Sequence, residues 1–378
     1  MLKILIDATP LLKNLTGVGQ VTYFYSKGLS ARCDTTFFYA WFFSSELRER
    51  PLQGMEEKIN LLKKYIPRPY FLTHLVKTII FNICIFIKQP DVILQPNYNT
   101  MKMYKKIPII TIVHDLSHIR HPEYHPSDRI EYFEKHFLKS IASSTKLIAI
   151  SQFTKDEMLD LNLAKSEKIE VVYNGISDSY TSLVDAPAER LFLRKYDLNK
   201  KKYFLYVGTL EPRKNILLLL RAYSLYQSSV DNPLDLVLIG IQGWHIEHLE
   251  EQASVLELDT VKRLGYLRDD ELKMAYANAL VFVFPSFYEG CGLPPIEAMA
   301  SGTAVIASNC SSMPEMLGDA SILIDPCDAN ALCSAMRELE DNEILRQDLE
   351  CKGFLQSKHF RWDSSVNRLL NIIHAMVK

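Results

Sequence analysis

The sequence has no paired cysteine motif, no excess of charge of one sign and no long uninterrupted hydrophobic run. Its 378 residues carry 43 Lys and Arg against 45 Asp and Glu, a formal net charge of −2. That balance excludes a dedicated nucleic-acid binder, which would have a basic excess. The seven cysteines are scattered without a CxxC pair, and the first residues lack the pattern of a signal peptide. We therefore expect reduced thiols, no zinc site and a cytoplasmic location.

Three motifs of known chemistry are missing as well. The sequence contains no Asp-x-Asp pair, so nothing supports a carboxylate-held divalent metal that grips a diphosphate. The P-loop lysine motif and the GxSxG nucleophile motif are also absent. We expect no metal and no resident cofactor. The charge of a departing phosphate would then have to be neutralised by side-chain cations and helix dipoles.

The longest apolar stretch, Phe71–Ile87, is interrupted by His74, Lys77 and Asn82. These polar residues make it a poor candidate for a membrane-spanning helix. Residues 58–106 around it contain nine Lys and Arg and a single acidic residue. Apolar and aromatic residues interleaved with that much positive charge predict a segment that lies on an anionic membrane surface. A buried helix with solvated lysines at its rim is the alternative.

The length of the chain predicts two domains, with about 150 residues per domain as a guide. Short apolar runs, each followed by a turn and a helical stretch, recur in both halves and predict an α/β fold with parallel sheets. The predicted strands are Lys3–Ala8, Asp91–Gln95, Ile107–Val113, Lys146–Ile150, Tyr203–Val207, Leu234–Ile239, Val281–Pro285 and Thr303–Ala307.

We place the first domain at residues 1–180, a linker at 181–200, the second domain at 201–355 and a C-terminal tail at 356–378. Residues 1–180 contain 23 Lys and Arg and 18 Asp and Glu, a net charge of +5, which leaves −7 for the rest of the chain. The opposite signs indicate that the two halves have different partners.

The strongest candidate site follows the strand Val281–Pro285. Residues 286–300 have the sequence SFYEGCGLPPIEAMA, in which two loop glycines precede a proline pair that starts a helix. Backbone N–H groups would converge at this helix N-terminus and favour a phosphate. The residues that would form this cradle are Gly290, Cys291, Gly292 and Leu293.

Two glutamates flank the cradle. Glu289 lies in the loop and Glu297 in the first helical turn, so they do not share a face and each has its own role. In isolation, Glu297 is better explained as a helix-start carboxylate that offsets the helix dipole.

A second loop, Gly208–Asn215 with the sequence GTLEPRKN, directly follows another predicted strand and precedes an apolar helix. Arg213 and Lys214 could clamp a diphosphate at that position. Two adjacent basic residues on a surface loop are more often merely solvated, but a second glycine-rich loop in the same domain favours the binding role.

In the first domain, the candidates also follow strands, where open parallel sheets bind their ligands. His114 could donate to a sugar hydroxyl or act as a general acid or base, and Asp115 is its neighbour. A structural histidine is the alternative. Tyr98, Asn99 and Ser151 are similarly placed, although Ser151 could instead cap the helix that follows it.

Gly17 and Gly19 lie in a turn after the first strand, before a predicted helix that ends near Ser30. A dinucleotide fingerprint needs a third glycine where this chain has Thr22, which excludes a nicotinamide cofactor. The glycines could still let the backbone approach a phosphate or sugar closely.

Together these motifs resemble glycosyltransferase family 4, whose members are retaining enzymes of the GT-B architecture. The resemblance covers essentially the whole chain, including IDATPLLKNLTGVGQVT, VHDLSHIRHPEYHP, YVGTLEPRKN and SFYEGCGLPPIEAMASGTAVIASN. It implies two Rossmann-like parallel-sheet domains that face a central cleft, with a C-terminal helix that returns to the first domain.

The resemblance also implies a role for each candidate residue. The second domain would hold a nucleotide-sugar and the first an acceptor. The expected catalytic residues are His114, Asp115 and Glu289; the donor diphosphate would be bound by Gly17, Gly19, Arg213, Lys214, Gly290, Cys291, Gly292 and Leu293; Glu297 would reach the ribose; and Tyr98, Asn99 and Ser151 would lie on the acceptor side.

The implied activity is that of a metal-independent hexosyltransferase that keeps the anomeric configuration. The motifs GTLEPRKN and YEGCGLPPIEAM are most similar to those of mannosyltransferases of bacterial surface polysaccharide synthesis. We therefore expect GDP-mannose as donor and a saccharide or lipid-linked saccharide as acceptor, with the enzyme peripheral on the inner face of the cytoplasmic membrane. The alternatives are a sugar-nucleotide epimerase of similar architecture and a non-catalytic subunit that binds a glycan or a partner protein.

Overall fold

The computed structural model describes residues 1–12, 17–48, 69–98, 101, 103–181, 185–244 and 260–377. The chain folds into two compact units that alternate along the sequence. The first unit comprises Met1–Leu116, Asp128–Asn174 and Trp362–Lys378, and the second comprises Ser117–Ser127 and Gly175–Arg361. The short segment Ser117–Ser127 therefore belongs to the second unit, although the predicted boundary assigned it to the first domain.

Thirteen strands lie within the described residues. They are β1 Lys3–Asp7, β2 Asp34–Phe38, β3 Phe43–Ser44, β4 Val92–Gln95, β5 Ile109–Val113, β6 Lys146–Ala149, β7 Ile169–Val171, β8 Tyr203–Val207, β9 Asp235–Ile239, β10 Val261–Gly265, β11 Val281–Phe284, β12 Ala304–Ser308 and β13 Ile322–Ile324.

The described α-helices are α1 Gly17–Ser30, α2 Pro69–Lys88, α3 Ser117–Arg120, α4 Ser127–Ser143, α5 Gln152–Asp160, α6 Ala186–Lys195, α7 Ile216–Gln227, α8 Asp269–Asn278, α9 Leu293–Ala300, α10 Met313–Leu317, α11 Ala329–Asp341, α12 Glu343–Ser357 and α13 Trp362–Val377. Short 3-10 helices form at Thr9–Leu12, Pro122–Tyr124, Ser166–Lys168, Asp178–Thr181 and Pro212–Lys214.

Each unit is built on one sheet. The first has the strand order β3-β2-β1-β4-β5-β6-β7, which is parallel except for the antiparallel pair β2 and β3. The second has the order β10-β9-β8-β11-β12-β13 and is parallel throughout. Central strands such as β5, β8 and β11 are buried along their whole length, because crossover helices cover both faces of a parallel sheet. The prediction of two parallel-sheet units is confirmed.

The order of the strands determines where ligands can bind. In the second unit, β8 pairs with β9 on one side and with β11 on the other, so the connections leave this point in opposite directions. Open α/β sheets bind ligands beyond the carboxyl ends of the strands at such a reversal. The loops after β8 and β11 carry the two strongest predicted motifs.

The structure differs from the predicted turn at Gly17 and Gly19. Both glycines lie in the first turn of α1 and neither has a positive φ. The preceding residues Leu15 and Thr16 lie outside the described part of the chain. Glycine is tolerated at the start of a helix, where the backbone N–H groups have no intrahelical acceptor.

The predicted linker, 181–200, contains α6. The Asp185 carboxylate accepts a hydrogen bond from the Ala188 N–H, which caps the helix, and Phe192 is buried. The segment belongs to the second unit. Helix α13, by contrast, belongs to the first unit, where Trp362 stacks on Phe24 at 4.8 Å between ring centroids.

All seven cysteines are free thiols. Among the described residues, no helix is both long and apolar enough to cross a membrane.

Candidate functional site

The predicted cations and the loop glutamate form one buried ion cluster in the second unit. The Lys214 Nζ lies 2.5 Å from Glu289 Oε1, and Arg213 Nη1 lies 3.3 Å from Glu289 Oε2. The side chains of Arg213 and Lys214 are each 12% exposed, and that of Glu289 is 9% exposed. The alternative in which these cations are merely solvated is therefore wrong.

The electrostatics of the cluster favour a charged Glu289. Burial opposes ionisation of the carboxyl, but the positive charges of Lys214 and Arg213 outweigh it and lower the pKa of Glu289. The ammonium of Lys214 also lies 5.0 Å from the centre of the Phe284 ring. Arg213 Nη2 pairs with Glu211 Oε1 at 2.6 Å, so two cations and two carboxylates balance within a low-dielectric site.

Backbone contacts hold the cluster in place. Arg213 Nη1 donates to the Tyr288 carbonyl at 2.6 Å, and the Phe287 N–H donates to the Arg213 carbonyl at 2.9 Å. Asn215, in the left-handed conformation with φ 57°, donates from Nδ2 to the carbonyls of Pro285 and Pro326. The loops after β8, β11 and β13 are thus tied together by one buried amide.

The loop after β12 holds Glu289 from the other side. The Ser311 hydroxyl accepts a hydrogen bond from the Glu289 N–H at 3.0 Å, and the Ser312 hydroxyl donates to the Glu289 carbonyl at 2.9 Å. Neither serine nor Asn215 was a predicted site residue. Their signal in the sequence was only their position after a strand, which many structural residues share.

The predicted cradle lies at the N-terminus of α9. Gly290 and Cys291 are buried, Leu293 is the first helical residue, and Gly292 precedes it with φ 68°. Because this φ lies in the left-handed region, a side chain at position 292 would strain the backbone, so the loop favours glycine there. The second helical position is proline, as predicted, and the arrangement suits an anion at the helix end.

Glu297 has a partner of its own. It lies in the second turn of α9 rather than the first, and its Oε2 accepts a hydrogen bond from the Tyr276 hydroxyl at 3.0 Å. Burial raises the pKa of Glu297 to about 7, against the effect of that hydrogen bond. Glu297 is therefore more than a helix-start carboxylate that offsets the helix dipole, because it is buried and hydrogen-bonded. Tyr276 was not predicted.

In the first unit, His114 follows β5 and is half-buried. Its Nε2 lies 2.6 Å from the Pro96 carbonyl, which can only accept, so Nε2 carries the proton. Burial lowers the pKa of His114, which favours the neutral ring. The remaining nitrogen, Nδ1, is then an acceptor, so neutral His114 can take a proton or accept a hydroxyl hydrogen bond but has no second N–H to donate to a sugar hydroxyl. Asp115, also half-buried, follows it directly.

The other predicted residues of this unit have structural surroundings. Tyr98 is 7% exposed, packs edge-on against Phe137 at 4.8 Å and directs its hydroxyl to the Asp115 carbonyl at 3.4 Å. Ser151 is fully buried and caps α5 by accepting from the Thr154 N–H at 3.0 Å. The acceptor-side assignment of both residues is corrected to core packing and helix capping. Asn99 lies outside the described residues.

Gly17 is exposed at the start of α1, and a Cβ added there would meet nothing within 4 Å, whereas Gly19 is buried. Only Gly17 therefore offers open backbone to a ligand.

Aromatic side chains from an earlier part of the chain pack against the loop after β11. The segment Ser117–Ser127 contributes His121, whose ring lies 5.3 Å from that of Tyr288, and Tyr124, which stacks on Phe287 at 5.7 Å. The Trp244 Nε1 donates to the Tyr124 carbonyl at 2.6 Å. The tyrosine whose carbonyl binds Arg213 is thus packed by a segment from an earlier part of the chain.

Known proteins identify the family. Residues 15–180 match the family model described as Glycosyltransferase Family 4, and residues 190–355 match the model described as Glycosyl transferases group 1. O-antigen chain mannosyltransferase B of Escherichia coli is 37% identical over 267 residues, which cover 69% of each chain. The chain belongs to glycosyltransferase family 4. It is a hexosyltransferase by this membership, and the resemblance deduced from its motifs is confirmed.

Two further comparisons agree with this family. O-antigen chain mannosyltransferase RfbU of Salmonella typhimurium is 31% identical over 233 residues, which cover 60% of each chain. The structure of HepE from Anabaena with UDP-glucose superposes with a TM-score of 0.74 at 15% identity, and it covers 99% of this chain and 100% of its own. This family 4 glycosyltransferase therefore has the two parallel-sheet units of the GT-B fold.

No group of three His, Cys, Asp or Glu side chains that could hold a metal ion occurs within the described ranges. At the loops after β8 and β11, Arg213, Lys214 and the N-terminus of α9 could attract an anionic ligand.

Proposed function

We propose that this glycosyltransferase transfers mannose from GDP-mannose, with retention of the anomeric configuration, to a saccharide or lipid-linked saccharide acceptor of a bacterial surface polysaccharide. The observation that carries the proposal is the buried contact of Lys214 and Arg213 with Glu289 next to the N-terminus of α9. The names of the two O-antigen mannosyltransferases above support the choice of sugar and pathway.

The ion cluster would supply the charge stabilisation that glycosyl transfer needs. When a nucleoside diphosphate departs, negative charge develops on its terminal phosphate, and preorganised cations stabilise that charge without reorganisation. Arg213 and Lys214 are held by short contacts and would act with the N–H groups at the start of α9. We propose that these groups are sufficient and that no metal is used.

Glu289 would have two successive partners. In this structure, the Glu289 carboxylate pairs with Lys214 and Arg213. A bound diphosphate would compete for the same cations, and the carboxylate could then accept hydrogen bonds from donor-sugar hydroxyls. Glu297 would accept from a ribose hydroxyl in the same way. His114, with an acceptor at Nδ1, is proposed to receive a hydroxyl hydrogen bond or proton during transfer.

One assay can test both the identity of the sugar donor and the transferase activity. The purified enzyme is offered UDP-, GDP- and ADP-sugars with lipid-linked acceptor extracts, and the products are analysed for linkage and anomeric configuration. We expect transfer from GDP-mannose with retention. Turnover of a UDP-sugar but not GDP-mannose would exclude the proposed donor. Donor conversion without any acceptor would indicate an epimerase.

Variants separate the role of Glu289 from general damage. Glu289→Ala should lose at least about 100-fold in transfer rate, because a buried group at the reacting centre is removed. Glu343→Ala, at the exposed first position of α12, is the control and should transfer at the wild-type rate. Substantial transfer by Glu289→Ala would refute its assigned role.

We also propose that α2 rests on an anionic membrane surface. One side of this helix packs into the core of the first unit through Phe81, Cys84 and Ile85, whereas Ile79 and Phe86 are 50% and 69% exposed. The alternative of a simply buried helix therefore accounts for only one of its faces. Residues 58–68 of the predicted basic segment lie outside the described residues, as do residues 99, 100 and 102.

Vesicle sedimentation tests this surface. The wild type should sediment with vesicles that contain anionic phosphatidylglycerol at low salt, and less so as salt screens the lysines. Phe86→Asp should reduce binding about tenfold, because a charge replaces apolar area at the interface. Leu191→Asp, 68% exposed on α6, is the matched control and should bind like the wild type. Equal sedimentation of both variants would exclude α2 as the contact.

A further inference from the structure

A pocket lies in the second unit beside the loops that follow β8 and β11. It is a cavity of about 410 Å³ whose walls include Tyr124, Leu217, Trp244, Phe287 and Cys327. Neither cation of the ion cluster lines it, nor does Glu289. Its volume lies within the range of about 300–1,000 Å³ that is usual for small-molecule sites.

The polar groups in the cavity wall already have partners within the protein. Asn215 donates to two carbonyls, the Glu211 carboxylate pairs with Arg213, and the Trp244 Nε1 donates to the Tyr124 carbonyl. A sugar or nucleoside placed here would bury several hydroxyl groups that would have to compete for these partners. A buried hydroxyl that is left unpaired loses its hydrogen bonds to water without replacement, which disfavours a second sugar site.

The apolar groups of the wall favour a different ligand. Leucine, isoleucine, proline and three aromatic rings supply most of the surface, and these side chains recognise hydrocarbon or aryl groups by area burial and ring contacts. Arg221, which is exposed, also lines the cavity and gives it one positive charge on the solvent side. Charge complementarity therefore calls for an anionic group at one end of an apolar body.

We propose that this cavity is a binding site for an amphipathic anion, with its hydrocarbon or aryl body between Tyr124, Trp244 and Leu217 and its head group at Arg221. The proposal does not depend on the identity of the sugar donor. Pro212 and Phe287 line the cavity and are direct neighbours of Arg213 and Tyr288, so an occupant contacts the same two loops that hold the ion cluster.

The test uses 1-anilinonaphthalene-8-sulfonate, which has an aryl body and one anionic group, in a fluorescence titration of the full chain. We expect one saturable site from which dodecyl phosphate, below its micelle concentration, displaces the dye. Leu217→Trp fills the cavity and should weaken that site at least tenfold. Leu225→Trp, on the same helix and 43% exposed but outside the cavity wall, should leave it unchanged. Equal dye affinity in both variants would overturn the proposal.

A second measurement uses the unmodified protein, so it does not depend on the folding of a variant. Cys327 lines the cavity and is exposed, and Cys351 on α12 is an exposed thiol elsewhere in the unit. Dodecyl phosphate should slow alkylation of Cys327 at least fivefold and leave Cys351 unaffected, as measured by peptide mass spectrometry. Equal rates for Cys327 with and without the ligand would contradict the site.

Two ligands have an apolar body and an anionic head group of this kind: the lipid phosphate of an acceptor and a free fatty acid. Enzyme kinetics distinguish them. For a lipid-linked acceptor, Leu217→Trp should raise KM for that substrate and leave KM for the free oligosaccharide unchanged. For a free fatty acid, dodecanoate should displace the dye and both KM values should stay at their wild-type level.

Discussion

The carboxyl ends of the two sheets carry different kinds of residues. In the second unit, the loops after β8 and β11 bring Arg213, Lys214 and Glu289 into direct contact. In the first unit, Tyr98 after β4 packs into the core and Ser151 after β6 caps a helix. The physical difference is charge: a buried ion needs an opposite charge within a few ångströms, whereas a buried hydroxyl is satisfied by the nearest backbone group.

The strongest test of this difference removes a charge from the second unit. Lys214→Met leaves the Glu289 carboxylate buried without its shortest ion-pair contact, so the free energy of unfolding should fall by about 3–5 kcal/mol. The measurement is urea unfolding of the variant and the wild type. Lys195→Met is the control, because it removes a contact of 2.6 Å from a lysine that is 59% exposed, and it should cost less than about 1 kcal/mol. Similar losses for the two variants would show that burial does not distinguish the ion cluster.

The next effect concerns the pH dependence of stability. Because burial raises the pKa of Glu297 from the usual 4.5 to about 7, the folded state binds more protons than the unfolded state between these values. Stability should therefore fall as pH rises from 4.5 to 7, by about 3 kcal/mol for this group. Glu297→Gln should remove that decline and be more stable than the wild type at pH 8. Unfolding curves from pH 4.5 to 8 measure it, and an unchanged slope would contradict the assignment.

A smaller effect is expected in the first unit at Ser151. Ser151→Ala removes the cap of α5 and should lower the free energy of unfolding by about 1 kcal/mol. Ser151→Thr keeps a capping hydroxyl and should recover most of that loss. KM for the acceptor should stay at the wild-type value in both variants. A rise in KM for Ser151→Ala, without a loss of stability, would restore the acceptor-side role that the sequence predicted.

The smallest effect is expected at Tyr98. Its hydroxyl lies 3.4 Å from the Asp115 carbonyl, a long contact, while the ring supplies the packing. Tyr98→Phe should therefore change the free energy of unfolding by less than about 1 kcal/mol and leave acceptor KM unchanged. Thermal unfolding and initial-rate kinetics test both expectations, and a large rise in KM would mean that the hydroxyl contacts substrate.

Much of the fold could be predicted from local patterns. Eight apolar runs predicted strands, and the structure has a strand at each of them whose ends agree with the prediction to within two residues. These strands are β1, β4, β5, β6, β8, β9, β11 and β12. The strands β2, β3, β7, β10 and β13 were not individually predicted. β10 is largely accessible and has only a partial apolar pattern, and β3 has two residues, so neither gives a clear periodic signal.

The assignment of segments to units was less predictable. Ser117–Ser127 lies between elements of the first unit but belongs to the second, and the predicted linker 181–200 contains the capped helix α6. Ring contacts such as that of Tyr124 with Phe287 join residues more than 160 positions apart, and no local pattern encodes them. Asn215, Ser311 and Tyr276 escaped prediction for the same reason, because their partners are distant in sequence.

The sequence by itself determined the family, the two parallel sheets and the motifs that carry Arg213, Lys214 and Glu289, because these depend on hydrophobic periodicity and on residues close together in the chain. Only the tertiary structure decided which polar residues bind one another. It paired Lys214 with Glu289 and Glu297 with Tyr276, and it made Ser151 a cap rather than a ligand. The reason is that burial removes water from a polar group, and only the packed structure determines which neighbour replaces that water.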